Sequence, residues 1–510
     1  MISTVKEKLE PLYKSYVLAI VAIGYVLGEL GHYLIGVTSK AIALDLHYGD
    51  IACQLNTTEY FLSELPDLCH TANNSETCLS FNVNGTSYCE WTYNGLGIDY
   101  QVLAGPCFIA VFTVVGVAFG FLADRYHRVR MLAGCTLVFG IAIILCGAVK
   151  EFWQLVLLRM IMAAGESGCN PLATGILSDI FPEKQRALVM AIFNWGIYGG
   201  YGIAFPVGRY IPPLNLFDAG WRVAYYGAGV IAIVFSALTL TLREPERRQI
   251  TTDTTNEDKE AKKLKIKDII SDPRLIMLGL AASIRHCGGM CFAYNCDLYY
   301  QTYFPDYDLG WWLFAMTIII GSIGVVAGGV FSDKIVAKMG VRSRLAVLAV
   351  SQIIATPFAF GSVYCEPIGA MVTLGISYFF AEMWFGILFA IVVEVVPLHL
   401  RSTTIGLFLF VINNIGGNLP IAVDPVSKDI GYRESLYVFY VGAYGLSAFM
   451  FLGTMFLMEG PKKVPEVKDL GHDNRIFTTM DENQIPTFPL GERKKLSNAS
   501  TIPMDNHSRL

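Results

Sequence analysis

Charge is what this chain has least of. Asp, Glu, Lys and Arg make up 16% of its 510 residues, against roughly a quarter in soluble globular proteins. The shortage excludes a string of soluble domains, which the length alone would suggest. With 54% hydrophobic residues the chain is not intrinsically disordered. A net charge of −5 offers no basic face to nucleic acid. The 12 cysteines include no Cys-x-x-Cys pair, and there is no His-x-x-x-His, so no metal is expected. No Gly-x-x-x-x-Gly-Lys-Ser/Thr phosphate loop and no Gly-x-Ser-x-Gly elbow occur, so neither ATP hydrolysis, a cofactor nor an enzyme activity is expected.

In place of charge there are long apolar runs. A helix needs about 20 apolar residues to cross a bilayer, and twelve such segments are read at 15–46, 100–123, 131–149, 153–180, 187–208, 222–242, 273–304, 309–332, 344–363, 367–396, 403–423 and 433–458. Only helices and closed barrels satisfy backbone groups in lipid, and these runs lack strict alternation. The expected organisation is a short N-terminus (1–14), a six-helix bundle (15–242), a linker (243–272), a second six-helix bundle (273–458) and a disordered tail (459–510). The first span is too long and too polar in its second half for a cleavable signal peptide.

Basic residues set the orientation. Segment 47–99 has no Lys or Arg, whereas 243–274 has nine. Both termini are therefore expected in the cytoplasm and 47–99 outside. That loop holds Cys53, Cys69, Cys78 and Cys89, read as two disulfides with three pairings open. It also holds glycosylation sequons at Asn56, Asn73 and Asn84. No clear acidic dileucine signal marks the tail, which favours the plasma membrane over the lysosome.

The halves repeat. Asp179-x-x-Pro182-x-x-x-Arg186 recurs as Glu394-x-x-Pro397-x-x-x-Arg401 at an offset of 215, and Gly120-x-Leu-Ala-Asp124 recurs as Gly329-x-Phe-Ser-Asp333 at 209. Paired six-span halves with a binding site at mid-membrane are a transporter pattern.

The stretch Gly120-x-Leu-Ala-Asp124-Arg125-x-x-Arg128-x-Arg130 resembles the signature of the major facilitator superfamily. Within it, Arg159, Gly165-Glu166-Ser167 and Ser178-Asp179-Ile180-Phe181 resemble the spinster-like branch, although Gly31-His32 stands where that branch has Asp-Arg. The resemblance implies an all-α membrane fold of twelve helices in two pseudo-symmetric six-helix bundles, with spans one, four, seven and ten lining a central cavity. It also implies that Asp124, Arg128, Asp179, Arg186, Asp333, Glu394 and Arg401 form a cytoplasmic gate, with Asp179 and Arg186, and Glu394 and Arg401, completing the latch of each half. Spinster-like proteins export lipids, several with proton coupling.

Charges at mid-membrane are costly and mark function. They fall in spans one, four, seven and ten: Glu29, Arg159, Glu166, Arg285 and Glu382. Helical spacing puts His32 on the face of Glu29, and Asn170 on the face of Arg159 and Glu166. Arg159 is expected to pair with Glu29 or Glu166, one of which would carry the proton. Arg285 has two readings, as the receptor of an anionic group or as the ion partner of Glu382. The expected function is secondary active transport of a small organic solute (an amphipathic lipid or organic anion) by alternating access, with protons and the lipid bilayer as the other partners. The alternatives are a receptor or scaffold acting through the cysteine-rich loop, or a facilitative carrier of sugar or organic cation.

Overall fold

The computed structural model describes residues 2–55, 69, 72, 74–83, 86–87, 89–123, 125–246, 271–304, 306–339, 341–396 and 401–458. The sequons at Asn56, Asn73 and Asn84, Asp124, most of the linker and the tail lie outside the described residues, as do the side chains of Arg186 and Arg401.

Among the described residues, twelve long helical passages follow one another. They are α1 (Ile2–Leu46), α2 (Ile98–Ala123), α3 (Arg128–Gly147), α4 (152–180), α5 (Glu183–Tyr210), α6 (Arg222–Thr239), α7 (Pro273–Tyr303), α8 (310–339), α9 (Val341–Tyr364), α10 (367–395), α11 (401–430) and α12 (432–457). Ten contain stretches long and apolar enough to cross a membrane. The other two are α4 and α5. The α4 passage is also divided at Gly168 into pieces of 16 and 12 residues.

The described residues of the 47–97 segment connect α1 to α2 at one end of the molecule, here termed the loop end; α6 ends and α7 begins at the opposite, linker end. Two strands of the segment, Ile51–Leu55 and Cys89–Tyr93, pair antiparallel. Disulfides Cys53–Cys78 and Cys69–Cys89 tie them to a short helix, Ser75–Ser80, and to Cys69. This selects one of the three pairings left open by the sequence. The segment is fastened to α1 where Ser39 Oγ donates to the Gly95 carbonyl at 2.6 Å. A side chain at Gly95 would meet the backbone of Lys40 at 2.6 Å.

Close helix packing depends on glycine. Gly200 of α5 lies against α1, where an added Cβ would come within 2.7 Å of the Leu30 amide nitrogen; Gly208 meets Val37 in the same way. Small residues let helix backbones approach in a solvent of lipid tails, where burial of apolar surface gives no driving force.

The apolar core is asymmetric. One cluster runs through α1–α6 and continues into the loop-end halves of α7, α9, α10 and α12, including Met290, Leu298, Tyr300, Val363, Leu374 and Leu436. The linker-end half of α7–α12 has a separate core around Leu278, Leu348, Leu388, Phe408 and Phe451. The two bundles therefore share apolar packing at the loop end.

Candidate functional site

The mid-membrane residues of the first bundle meet through an antiparallel match of α1 and α4. Asn170 Nδ2 reaches the Tyr25 hydroxyl at 3.4 Å. One turn on, a Cβ at Gly28 would lie 3.1 Å from Glu166 Cγ. Beyond that, Arg159 Nη1 donates to the carbonyls of Gly31 at 3.2 Å and His32 at 3.1 Å. Helix carbonyls point toward the helix C-terminus, here the loop end. Arg159, seven residues and two turns before Glu166 on a helix running the other way, approaches from that side.

This corrects the expected ion pair. Arg159 is fully buried, but among the described residues its hydrogen bonds go to these carbonyls and to neither Glu29 nor Glu166. Its guanidinium lies 4.7 Å from the centre of the Phe108 ring, on which His32 also stacks at 3.9 Å. Glu29 Oε2 is 3.9 Å from His32 Nδ1. One donor atom from each of Glu29, His32 and Glu166 falls within 4.8 Å of the others. Both Glu166 oxygens and His32 Nε2 are buried without a hydrogen-bond partner among the described residues. Such spacing would also admit a cation, but Arg159, bonded to the His32 carbonyl, already supplies a fixed positive charge beside the trio.

In the second bundle Arg285 Nη2 donates to Glu382 Oε1 at 3.0 Å and to the Ala381 carbonyl at 2.6 Å. The guanidinium sits 4.5 Å from the Trp384 ring and 5.2 Å from that of Tyr444. Of its two readings, the partner of Glu382 is the one observed. The other Glu382 oxygen accepts from the Tyr198 hydroxyl of α5 at 2.9 Å, a bond between the two bundles. On α11, Asn414 accepts from Thr113 of α2 at 3.3 Å, and Gly416 lets α11 approach Ser283 of α7.

At the linker end each bundle carries a guanidinium between carboxylates. Arg128 binds Asp179 at 2.7 Å and Glu244 at 3.1 Å. Arg344 binds Asp333 and Glu394, both at 2.7 Å. Asp179 and Glu394 are therefore each bound by an arginine in the first turn of α3 or α9, while the side chains of Arg186 and Arg401, expected in the same latch, lie outside the described residues. The sequence reading missed Arg344 because it stands 11 residues after Asp333, whereas Arg128 stands four after Asp124. The repeat offset of 209 thereby becomes 216 for Arg128 and Arg344. The 215 offset between α4 and α10 was the signal that could have found it.

Sequence reasoning also missed the loop end, where several bonds cross between the bundles. Arg209 binds Asp297 at 2.8 Å and Asp308 at 3.6 Å. Gln101 donates to Asn295 at 2.8 Å, the Tyr100 hydroxyl to the Tyr294 carbonyl, and Lys428 pairs with Asp50 at 3.3 Å. By contrast, among the described residues the ion pairs of the two linker-end clasps stay within their own bundle.

Two six-helix halves, each with the same guanidinium clasp and with polar residues between them, define a membrane carrier fold. The sequence profile of the Major Facilitator Superfamily matches residues 21–419, and the chain belongs to that family. It is 30% identical over 165 residues to the vacuolar membrane amino acid uptake transporter fnx2 of Schizosaccharomyces pombe, which covers 31% of this chain and 28% of that protein. It is 28% identical over 155 residues to human protein spinster homolog 1, covering 30% and 29%. The matched region thus spans less than a third of either relative. In fold, it is similar to a bacterial homologue of the human lysosomal transporter spinster in an inward-facing, unoccupied conformation: TM-score 0.67, 19% identity, covering 87% of this chain and 98% of that one.

Proposed function

We propose that this chain is a secondary carrier that moves a small organic solute, an amphipathic lipid or an organic anion, by alternating access linked to protons. The observation carrying this reading is the trio Glu29, His32 and Glu166. Two buried carboxylates share one place beside α5, which bonds to the second bundle, and Glu166 has no hydrogen-bond partner among the described residues. A buried carboxylate without a partner favours its neutral form, and water or solute reaching it restores the charge. Opening and closing of the site would therefore bind and release a proton. Arg159, with Nε and Nη2 unbonded among the described residues, favours a solute bearing negative charge.

In this reading both termini are cytoplasmic, the disulfide loop is outside, and the structure is the inward-facing state. That orientation agrees with the charge asymmetry, and the state agrees with the cross-bundle bonds at the loop end. The proposed location is the plasma membrane. The vacuolar and lysosomal labels of the relatives make imaging of the tagged full chain its direct check.

The test is solute flux into proteoliposomes with and without a pH gradient, across a panel of lysolipids and organic anions. The gradient is expected to drive flux in the wild type, and Glu29→Gln or Glu166→Gln is expected to abolish that drive. Wild-type pH dependence in both variants would overturn the proton assignment. No flux of any solute would favour a receptor.

A further inference from the structure

We propose that segment 211–221, joining α5 to α6, inserts its apolar tip into the lipid leaflet at the loop end and anchors α5 there. This goes beyond the transport reading and does not depend on it. Two single turns, Pro212–Leu214 and Leu216–Asp218, form the segment. Leu214, Leu216 and Phe217 are 63%, 45% and 94% exposed. Three apolar side chains within four residues would face water if no lipid covered them.

The backbone holds them outward. Asn215, Phe217 and Asp218 have φ of 42°, 60° and 53°. Asn and Asp tolerate this left-handed region, but for a bulky residue it is a true outlier. The turn is braced from behind. Asn215 Oδ1 accepts from the Gly220 amide at 3.1 Å, its Nδ2 donates to Asp218, and Trp221 Nε1 donates to Asp45 at 2.9 Å. A strained, braced turn that presents Phe217 away from the protein fits a ligand outside it.

The occupant follows from position. The segment links two helices of a membrane bundle by eleven residues, which places it at the boundary of the bilayer. Tyr210, just before it, stacks on Trp311 at 5.5 Å between ring centres. Trp311 and Trp312 are 58% and 44% exposed. Tyr and Trp gather at the headgroup level of membranes, and apolar side chains beside such a belt reach into the acyl boundary. Arg209 and Tyr210, which bind Asp297 and Asp308 of the second bundle, immediately precede the segment. The anchor thus fixes the end of α5 that bears the cross-bundle bonds.

The test uses the full chain in lipid nanodiscs, with the half-buried Cys107 and Cys365 replaced by Ser and a nitroxide on Phe217→Cys. Lys150→Cys, exposed in the loop between α3 and α4, is the aqueous reference. Relaxation by oxygen, which concentrates in lipid, is compared with relaxation by a water-soluble nickel chelate. The 217 label is expected to be several-fold less accessible to nickel than the 150 label and more accessible to oxygen. Equal access to nickel at the two sites would overturn the anchor. Shielding from both reagents would also overturn it, because the tip would then be covered by protein. As a second variant, Phe217→Asp alters a side chain that touches little of the protein. It is expected to raise the nickel accessibility of a label on Leu214→Cys, and an unchanged value would count against insertion.

Discussion

Arg285 shows how an individual charge is kept in the membrane. It is 3% exposed, with Glu382, the Ala381 carbonyl and two aromatic rings around it. Removing one partner of a buried pair leaves the other uncompensated, at about 3–5 kcal/mol. Arg285→Leu is therefore expected to lower the thermal midpoint in detergent sharply. The double variant Arg285→Leu/Glu382→Gln should recover much of that loss. A double variant as unstable as the single one would mean that the arginine acts mainly through its aromatic packing. Arg159 poses a different problem, since its observed acceptors are carbonyls. Sequence reasoning identified both arginines; pairing with Glu382 was one of its two readings of Arg285, and the acceptors of Arg159 were not among those it considered. Composition counts carboxylates, and no pattern in a sequence announces that a helix backbone will serve as acceptor.

At the scale of elements, the contact of α1 with α5 is set by glycine. Gly200→Ala would press a methyl group against Glu29 and the Leu30 amide. It is expected to destabilise the first bundle and reduce flux, because one of those neighbours is backbone and cannot yield. Gly134→Ala in α3 meets nothing within 4 Å and should be neutral or slightly stabilising, since Ala exceeds Gly in helix propensity by about 1 kcal/mol. Melting curves of the two variants check this; equal behaviour would show that the α1–α5 contact relaxes freely. The twelve helices themselves were legible in the sequence because apolar runs of bilayer length have few other solutions. The guanidinium clasps were legible only in part, since Arg128 lies in a recognisable motif and Arg344 stands farther from its aspartate than the motif's spacing.

For the whole molecule, the bonds at the loop end join the two bundles, and alternating access requires that they part. Arg209 holds Asp297 and Asp308 together, so Arg209→Ala is expected to raise the population open at that end. Distances between fluorophores placed on the two bundles at the loop end should lengthen. An unchanged distance distribution would place the restraint elsewhere, at Lys428–Asp50 or in the apolar core. These contacts were not readable in the sequence, because they join residues about 90 to 380 positions apart with no repeat relating them.

The one-sided core carries a consequence for temperature. At the loop end the bundles are sealed by apolar side chains, whereas the linker end presents guanidinium–carboxylate clasps. Exchanging which end is closed trades apolar burial for polar burial, and the two kinds of surface contribute to heat capacity with opposite sign. The two states should therefore differ in heat capacity, so that the logarithm of their ratio curves when plotted against inverse temperature. Apolar burial weakens on cooling, and cold should favour the state open at the loop end. A carrier built this way would respond to temperature through its resting conformation as well as through its turnover.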